Sequence, residues 1–255
     1  MINQKYKEYA KSLIEFEEPK IDSMDVTYSL TINAIISENT NIDNFATIRN
    51  QIINNVRFSN LIGSGIYVYP NERIHFSIIN FVDLSSKNID GQNNFRKRRQ
   101  MQIDKIKSIF QQKITNIKPP RNKNVDLGYI YPKSSPSLAI QVFPNPELIK
   151  YFNDIIKQFS YDEFGKIEIK SNSTNNIITF PINVVRFFRD IDEQEYKQLK
   201  NNVDKFNNDS KKEIKYKINL TKINFVLSDN WLLNDKFNLG QYNIEDKLWV
   251  NYEIH

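Results

Sequence analysis

The pattern of apolar and polar residues predicts a strand, a helix and two further strands in the first half of the chain. Over residues 25–36, apolar side chains alternate with polar ones, which is the period of a half-buried strand. A helix that Asp43 can cap follows, with apolar residues every three or four positions up to Val56. Apolar runs at 66–69 and 74–82 predict the two strands after it.

The second half has the same predicted order of elements. A basic segment from Phe95 to Ile117 predicts a connecting helix, which the Pro119-Pro120 pair ends. After this helix the pattern predicts strands at 127–131 and 137–143, a helix opened by Asn145 and Pro146, and strands at 167–169 and 177–188. We therefore expect two similar halves that arose by internal duplication.

Four more elements are predicted outside this repeat. They are a helix over 3–16, a helix over 192–207, a strand over 214–228 and a strand near 248–250. The apolar phase of the third element changes at Leu220-Thr221-Lys222, which we interpret as a β-bulge.

Composition narrows the chemistry that the protein can perform. The 255 residues include 40% apolar and 25% charged residues, which is typical of a globular protein. With no cysteine and two histidines, disulfides, thiol catalysis and cysteine-ligated zinc are excluded, and we expect no metal or other cofactor. The net charge of +5 favours an anionic partner. Neither a spanning apolar segment nor a secretory signal is evident, so we expect a cytoplasmic protein without a membrane partner. The sequence does not identify the oligomeric state, and a monomer is favoured.

The strand at 74–82 carries the clearest chemical motif, Ile74-His75-Phe76-Ser77. Residues two apart on a strand point to the same side, so His75 and Ser77 share a face. An imidazole there can exchange a proton with an oxygen on phosphorus, while the hydroxyl donates a hydrogen bond to another phosphate oxygen. A core histidine beside a strand serine is the structural alternative.

Aligning the two halves by the order of their elements pairs 74–81 with 180–187. On this alignment His75 corresponds to Pro181 and Ser77 to Asn183, while Phe81 corresponds to Phe187. The match is one of apolar pattern rather than of residue identity.

The layout, together with the segment from Tyr67 to Ser77, resembles the two-histidine (2H) phosphoesterase superfamily of LigT-like RNA ligases and cyclic phosphodiesterases. Members are bilobal, and each lobe supplies one His-x-Thr/Ser strand to a central cleft. The resemblance extends by architecture over residues 25–232. It implies an α+β, pseudo-two-fold fold with mostly antiparallel sheets around that cleft. It also implies a single domain over 1–255, with lobes at about 20–90 and 125–255 and a connector helix at 94–118.

The same resemblance implies a metal-independent reaction on a 2′,3′-cyclic phosphate or a 2′-5′ RNA-type phosphodiester. His75 would be the general acid/base and Ser77 the phosphate ligand. In a complete member a second histidine shares the proton transfers, but here Pro181-Ile182-Asn183 stands in its place. Losing one such partner lowers the rate by about 10²–10⁴. The alternative is a catalytically inactive protein that binds a nucleotide or RNA in the same cleft.

Four other residues are candidates for phosphate or substrate binding. Asn183 could donate through its amide and Arg186 could bind phosphate bidentately, whereas Tyr131 and Lys133 could supply stacking and charge. The structural alternatives are a strand asparagine bonded to the backbone, an ion pair and core aromatics. His255 could provide a second imidazole, and the run Arg96-Lys97-Arg98-Arg99 could contact RNA or form a solvated helix face.

Overall fold

The computed structural model describes residues 29–40, 42–55, 66–69, 71, 74–82, 92–133, 137–169, 172–174, 177–187, 193–210, 216–228 and 238–251. The helix predicted over 3–16, residues 25–28 of the first predicted strand, and His255 lie outside these residues. No helix in the described part of the chain is long and apolar enough to cross a membrane.

Twelve strands and six α-helices are formed by the described residues. The strands are β1 (Ser29–Ile35), β2 (Ile66–Val68), β3 (His75–Phe81), β4 (Asn124–Lys133), β5 (Ser137–Pro144), β6 (Ile167–Ile169), β7 (Asn172–Thr174), β8 (Ile177–Phe187), β9 (Lys217–Asn219), β10 (Lys222–Ser228), β11 (Asn238–Asn243) and β12 (Leu248–Asn251). The helices are α1 (Ile36–Asn39), α2 (Ile42–Asn55), α3 (Gln92–Gln112), α4 (Pro146–Ile156), α5 (Tyr161–Phe164) and α6 (Glu193–Ser210), with a 3₁₀ turn at Ile114–Asn116.

The strands form two antiparallel sheets, which confirms the expected α+β class. The first sheet has the strand order β12-β11-β10-β1-β3-β6, and the second has the order β2-β8-β5-β4-β9, with β7 paired to β8. Local sequence signals explain where elements begin. At the start of α4, for example, Asn145 accepts a hydrogen bond from the Leu148 N–H at 3.1 Å and Pro146 takes the first helical position, as predicted.

Each sheet takes one edge strand from the other half of the sequence. Strand β2 comes directly before β3 in the chain but pairs with β8, in the second sheet. Strand β6 comes before β8 but pairs with β3, in the first sheet. The Tyr69 N–H extends the β2 pairing by donating to the Val184 carbonyl at 3.1 Å. The two sheets are therefore interlocked by their backbones.

The chain crosses between the sheets again at Leu220-Thr221. Strand β9 pairs with β4 in the second sheet, whereas β10 pairs with β1 in the first. The change of apolar phase here was interpreted as a bulge, and that interpretation is wrong. Because the two strands belong to different sheets, each has its own buried face, and the phase changes where one strand ends and the next begins.

The side chain of Asn39, at the end of α1, holds this crossing in place. Its amide NH₂ donates to the carbonyls of Ile35 at 2.8 Å and Lys222 at 2.9 Å. Its oxygen accepts from the backbone N–H groups of Thr221 at 2.8 Å and Lys222 at 2.7 Å. One buried side chain thus bonds four backbone groups at the place where the chain changes sheets.

Aromatic side chains make one core that reaches both sheets. Helix α3 contributes Phe110, whose ring stacks on Trp249 of β12 with centroids 4.7 Å apart. Between the sheets, Phe76 of β3 stacks on Phe180 of β8 with centroids 5.4 Å apart. Strands β3 and β8, which the resemblance assigns to the two lobes of one cleft, are therefore neighbours, although they lie in different sheets.

Candidate functional site

His75 and Ser77 occupy one face of β3. Both are half-buried, and they alternate with Phe76 and Ile78, which are buried on the opposite face. In the pairing with β1, His75 lies opposite Ile35 and Ser77 lies opposite Asn33. The backbone N–H of Ile36 donates to the Ile74 carbonyl at 2.8 Å, which fixes the start of the motif against the end of β1. The predicted pair is thus held on a central strand of the first sheet.

Strand β8 presents Pro181 and Asn183 in the same way. Both are half-buried and alternate with Phe180 and Ile182, which are fully buried. In the pairing with β5, Pro181 lies opposite Gln141 and Asn183 lies opposite Ala139. Proline has no N–H to give to a ladder. Pro181 is tolerated here because it lies between the residues of β8 that pair with β7 and those that pair with β2.

The two strands share a register irregularity at the same place. On β3, Ser77 is opposite Asn33 but Ile79 is opposite Ile32, so Ile78 is the extra residue of a bulge. On β8, Asn183 is opposite Ala139 but Val185 is opposite Leu138, so Val184 is the extra residue. Each bulge therefore follows directly after the second position of its motif.

The other predicted residues fall in two rows of the second sheet, with one row between them. Tyr131 of β4 lies opposite Ala139, which in turn lies opposite Asn183. Lys133 and Arg186 both lie opposite Ser137, which is two residues from Ala139 on β5. The side chains of Lys133 and Arg186 fall outside the described part of the structure. The backbone nevertheless brings all four candidates together, although they span residues 131 to 186 of the sequence.

Aromatic rings surround Tyr131 at this point of β4. The ring of Tyr129 lies 6.3 Å from that of Tyr131 and 6.4 Å from that of Phe143, and Tyr129 is 52% exposed. Phe143 also covers Gly128, where a Cβ would come within 2.1 Å of the ring. This glycine lets the ring pack directly onto the backbone. Tyr131 is therefore half-buried in an aromatic group, and Tyr129 is the exposed member.

A polar row that the sequence reasoning missed crosses the first sheet beside Ser77. Asn33 lies opposite Ser77, Asn224 lies opposite Asn33, and Gln241 lies opposite Asn224. Glu38 of α1 binds this row, because Gln241 donates to its carboxylate at 2.5 Å and Asn224 donates at 3.5 Å. The alternation of apolar and polar residues over 25–36 was a sequence signal for this row, because it puts Asn33 on the face of the strand opposite the core. A half-buried strand has one exposed face, however, whereas Asn33 is fully buried.

Several amide oxygens on these faces are buried without a hydrogen-bond partner. Within the described residues this holds for Oδ1 of Asn33, Asn224 and Asn183 and for Oε1 of Gln141. Most buried polar groups in folded proteins are paired, and leaving one unpaired costs roughly 1–3 kcal/mol. Four such oxygens on the strand faces that carry the two motif positions are an unusual concentration of unused acceptors.

Two buried tyrosines of the core have raised pKa values. Burial, with a smaller contribution from the neighbouring Tyr242, raises the pKa of Tyr151, and burial also raises the pKa of Tyr242. Both tyrosines belong to the buried core of the protein. The described residues contain no group of three or more His, Asp or Glu side chains that could hold a metal ion.

No protein-family model matches this sequence, and no curated protein matches it. The function must therefore be inferred from the geometry of the two motif strands.

Proposed function

We propose that this protein is a divergent 2H-type phosphoesterase that hydrolyses a 2′,3′-cyclic phosphate or a 2′-5′ RNA-type phosphodiester. The observation that carries the proposal is the matched register of β3 and β8. His75 and Pro181, Ser77 and Asn183, and the bulge residues Ile78 and Val184 are all 106 positions apart. Bulges are features that related structures retain. Their coincidence supports an internal duplication and, with it, a bilobal pseudo-two-fold arrangement.

The neighbouring strands support the same duplication. On the next strand of the first sheet, Ile79 and Phe81 of β3 pair with Ile169 and Ile167 of β6. In the second sheet the residues 106 positions later, Val185 and Phe187, pair with Val68 and Ile66 of β2. The exchanged edge strands β6 and β2 therefore pair with residues that are 106 positions apart, as the motif residues are. The central strands of the two sheets also follow matching orders, β10-β1-β3-β6 and β4-β5-β8-β2.

The packing supports a shared cleft for the two motif positions. Phe76 and Phe180 meet on the faces of β3 and β8 that lie opposite His75 and Asn183. Because those faces share one core, β3 and β8 are neighbours, which is what a cleft lined by both motif strands requires. A substrate between them would meet His75 and Ser77 from one lobe and Asn183, Tyr131, Lys133 and Arg186 from the other.

In the proposed reaction on a 2′,3′-cyclic phosphate, water adds to phosphorus and the bond from phosphorus to the 2′ oxygen breaks. The leaving oxygen takes a proton from His75, and the attacking water gives up a proton. Ser77 donates a hydrogen bond to a phosphate oxygen. Because Pro181 has no side chain that can transfer a proton, His75 must act with solvent, and turnover is slow.

Pro181 itself favours a second candidate function, that of a catalytically inactive protein that binds a nucleotide or RNA. The proline removes one of the two acid/base groups and leaves the possible phosphate ligands Ser77, Asn183 and Arg186 in the sequence. Either function has a phosphate-containing small molecule or RNA as its partner.

Hydrolysis assays with histidine variants test the proposal. We expect wild type to hydrolyse 2′,3′-cyclic nucleotides or a 2′-5′ dinucleotide, and His75→Ala to abolish this activity. Ser77→Ala should act mainly through KM, because it removes a hydrogen bond that substrate and transition state both use. His255→Ala is the matched control, since it changes the only other histidine.

Two results would contradict the enzymatic proposal. Activity that survives His75→Ala would remove the mechanism. Nucleotide binding by a wild type that hydrolyses neither substrate would instead support the binding protein.

A further inference from the structure

Tyr129 presents an exposed ring on the face of the second sheet that carries the second motif. It lies in a bulge of β4, where two residues together oppose Gln141 of β5, and Gln141 in turn lies opposite Pro181. The Tyr129 ring contacts that of Tyr131, which belongs to the row of Asn183. Tyr129 is therefore two strands from Pro181, or roughly 10 Å at a spacing of about 4.8 Å per strand.

The backbone is held on both sides of this bulge. Ile130, the next residue, donates its N–H to the side-chain oxygen of Asn207 at 3.0 Å and accepts from the same side chain's NH₂ at 2.8 Å. Before the bulge, the N–H of Leu127 donates to the Tyr216 carbonyl at 3.0 Å. The ring of Tyr129 is thus fixed before any ligand arrives, and binding to it costs little conformational entropy.

The three neighbouring rings of Tyr129, Tyr131 and Phe143 form what we call the tyrosine shelf. Tyr131 and Phe143 are half-buried and support the shelf, whereas Tyr129 is its open member, 52% exposed. A fixed, open aromatic ring is a surface on which a nucleobase can stack. Every base has a π-face, so such stacking strengthens binding without reading the identity of the base.

Charge near the shelf favours an RNA strand as the occupant. Lys133 follows Tyr131 two positions later on β4, and Arg186 occupies the same row of the sheet as Lys133. Asp126, nearer the other end of β4, is paired with Lys217 at 3.8 Å. The net charge of +5 also favours a polyanion. Cationic positions in the rows next to an open aromatic ring are the combination by which proteins bind single-stranded nucleic acid.

We propose that Tyr129 stacks the base of the nucleotide next to the reacting phosphate, so that the substrate is the end of an RNA strand rather than a mononucleotide. This inference rests on the proposed phosphoesterase site. With the phosphate between His75 and Asn183, the shelf lies two strands away, a distance that two linked nucleotides span. A mononucleotide would leave the ring uncovered. Because stacking does not read sequence, RNA ends of different sequence should bind alike.

Titration calorimetry of the full chain with three probes tests the shelf. The probes are cytidine 3′-monophosphate, a cytidine trinucleotide with the same 3′-phosphate, and that trinucleotide with abasic riboses at its first two positions. Each probe ends in the product of the proposed reaction, so none is consumed. The abasic probe has the phosphates of the intact trinucleotide but no neighbouring base. We expect the intact trinucleotide to bind at least tenfold more tightly than the abasic one.

Variants of the exposed ring test the residue itself. Tyr129→Ala should reduce the affinity for the intact trinucleotide to that for the abasic one and leave the mononucleotide affinity unchanged. Tyr129→Phe keeps the ring and should retain the preference. Tyr161→Ala is the matched control, because it removes another exposed tyrosine, on α5, and it should alter none of the affinities. A urea unfolding curve checks that each variant folds, and the abasic probe tests the wild type independently of them.

The outcomes separate this inference from the phosphoesterase proposal. Equal affinity for the intact and abasic trinucleotides overturns the shelf, even if His75-dependent hydrolysis of a cyclic mononucleotide is observed. A preference that survives Tyr129→Ala, or that Tyr129→Phe removes as completely, also overturns it. A preference that Tyr129→Ala removes and Tyr129→Phe retains, in a protein without hydrolytic activity, supports the shelf and counts against the enzyme. If no probe binds, both proposals fail.

Discussion

Replacing Asn39 with alanine should strongly destabilise the protein, because it removes the four hydrogen bonds that hold the crossing between the sheets. The carbonyls of Ile35 and Lys222 lose a donor, and the N–H groups of Thr221 and Lys222 lose an acceptor. Three of these bonds are only partly buried, so water can replace some of what is lost. At about 1 kcal/mol for each of the four groups, the free energy of unfolding falls by about 4 kcal/mol.

Urea unfolding followed by far-ultraviolet circular dichroism measures this loss. With a slope of about 3 kcal/mol per molar urea, the midpoint should fall by more than about 1 M. Asn116→Ala is the control, since that exposed asparagine donates to the Gln112 carbonyl within one turn, and it should cost less than about 0.5 kcal/mol. If Asn39→Ala stays within 1 kcal/mol of wild type, the crossing is held by packing and the hydrogen-bond argument is wrong.

Two further predictions concern the second motif and the edge of the first sheet. Pro181→His should raise the rate of phosphodiester hydrolysis by about 10²–10⁴, because it puts an imidazole at the position that corresponds to His75. An unchanged kcat in a folded variant would refute the correspondence between the two positions. Gly240→Ala should lower the free energy of unfolding by about 1–3 kcal/mol, because the new Cβ would lie 2.2 Å from the Trp249 ring. The control Leu248→Ala, on the exposed face of β12, should change the free energy of unfolding little in the same urea assay.

The sequence predicted most single elements and failed on how they associate. Strand β3 and helix α4 were predicted within a few residues, because both have a strong apolar period and clear turn or cap residues. The alignment of His75 with Pro181 also agrees with the register that the strands adopt. Sheet membership was not predictable from such patterns, since an apolar period identifies the buried face of a strand but not its neighbour. For that reason the crossing at Leu220-Thr221 was misinterpreted.

The site was predicted in part. His75 and Ser77 were evident because their types and spacing are chemically informative within three residues. Glu38, Asn224 and Gln241 were missed because they lie far apart in the sequence and meet only through the pairing of β1, β10 and β11. A buried asparagine in a strand also looks like any other polar residue of an exposed face.

The pairing of β1 with β10 has a consequence for how the chain folds during synthesis. Ser29 lies opposite Ser228, so the central strand of the first sheet waits for a partner that is made almost 200 residues later. Contacts of such long range slow folding, and until β10 emerges from the ribosome one edge of β1 has no strand to pair with. An open apolar edge is a template for association with other chains. We therefore expect newly made chains truncated before residue 222 to aggregate or to be bound by chaperones.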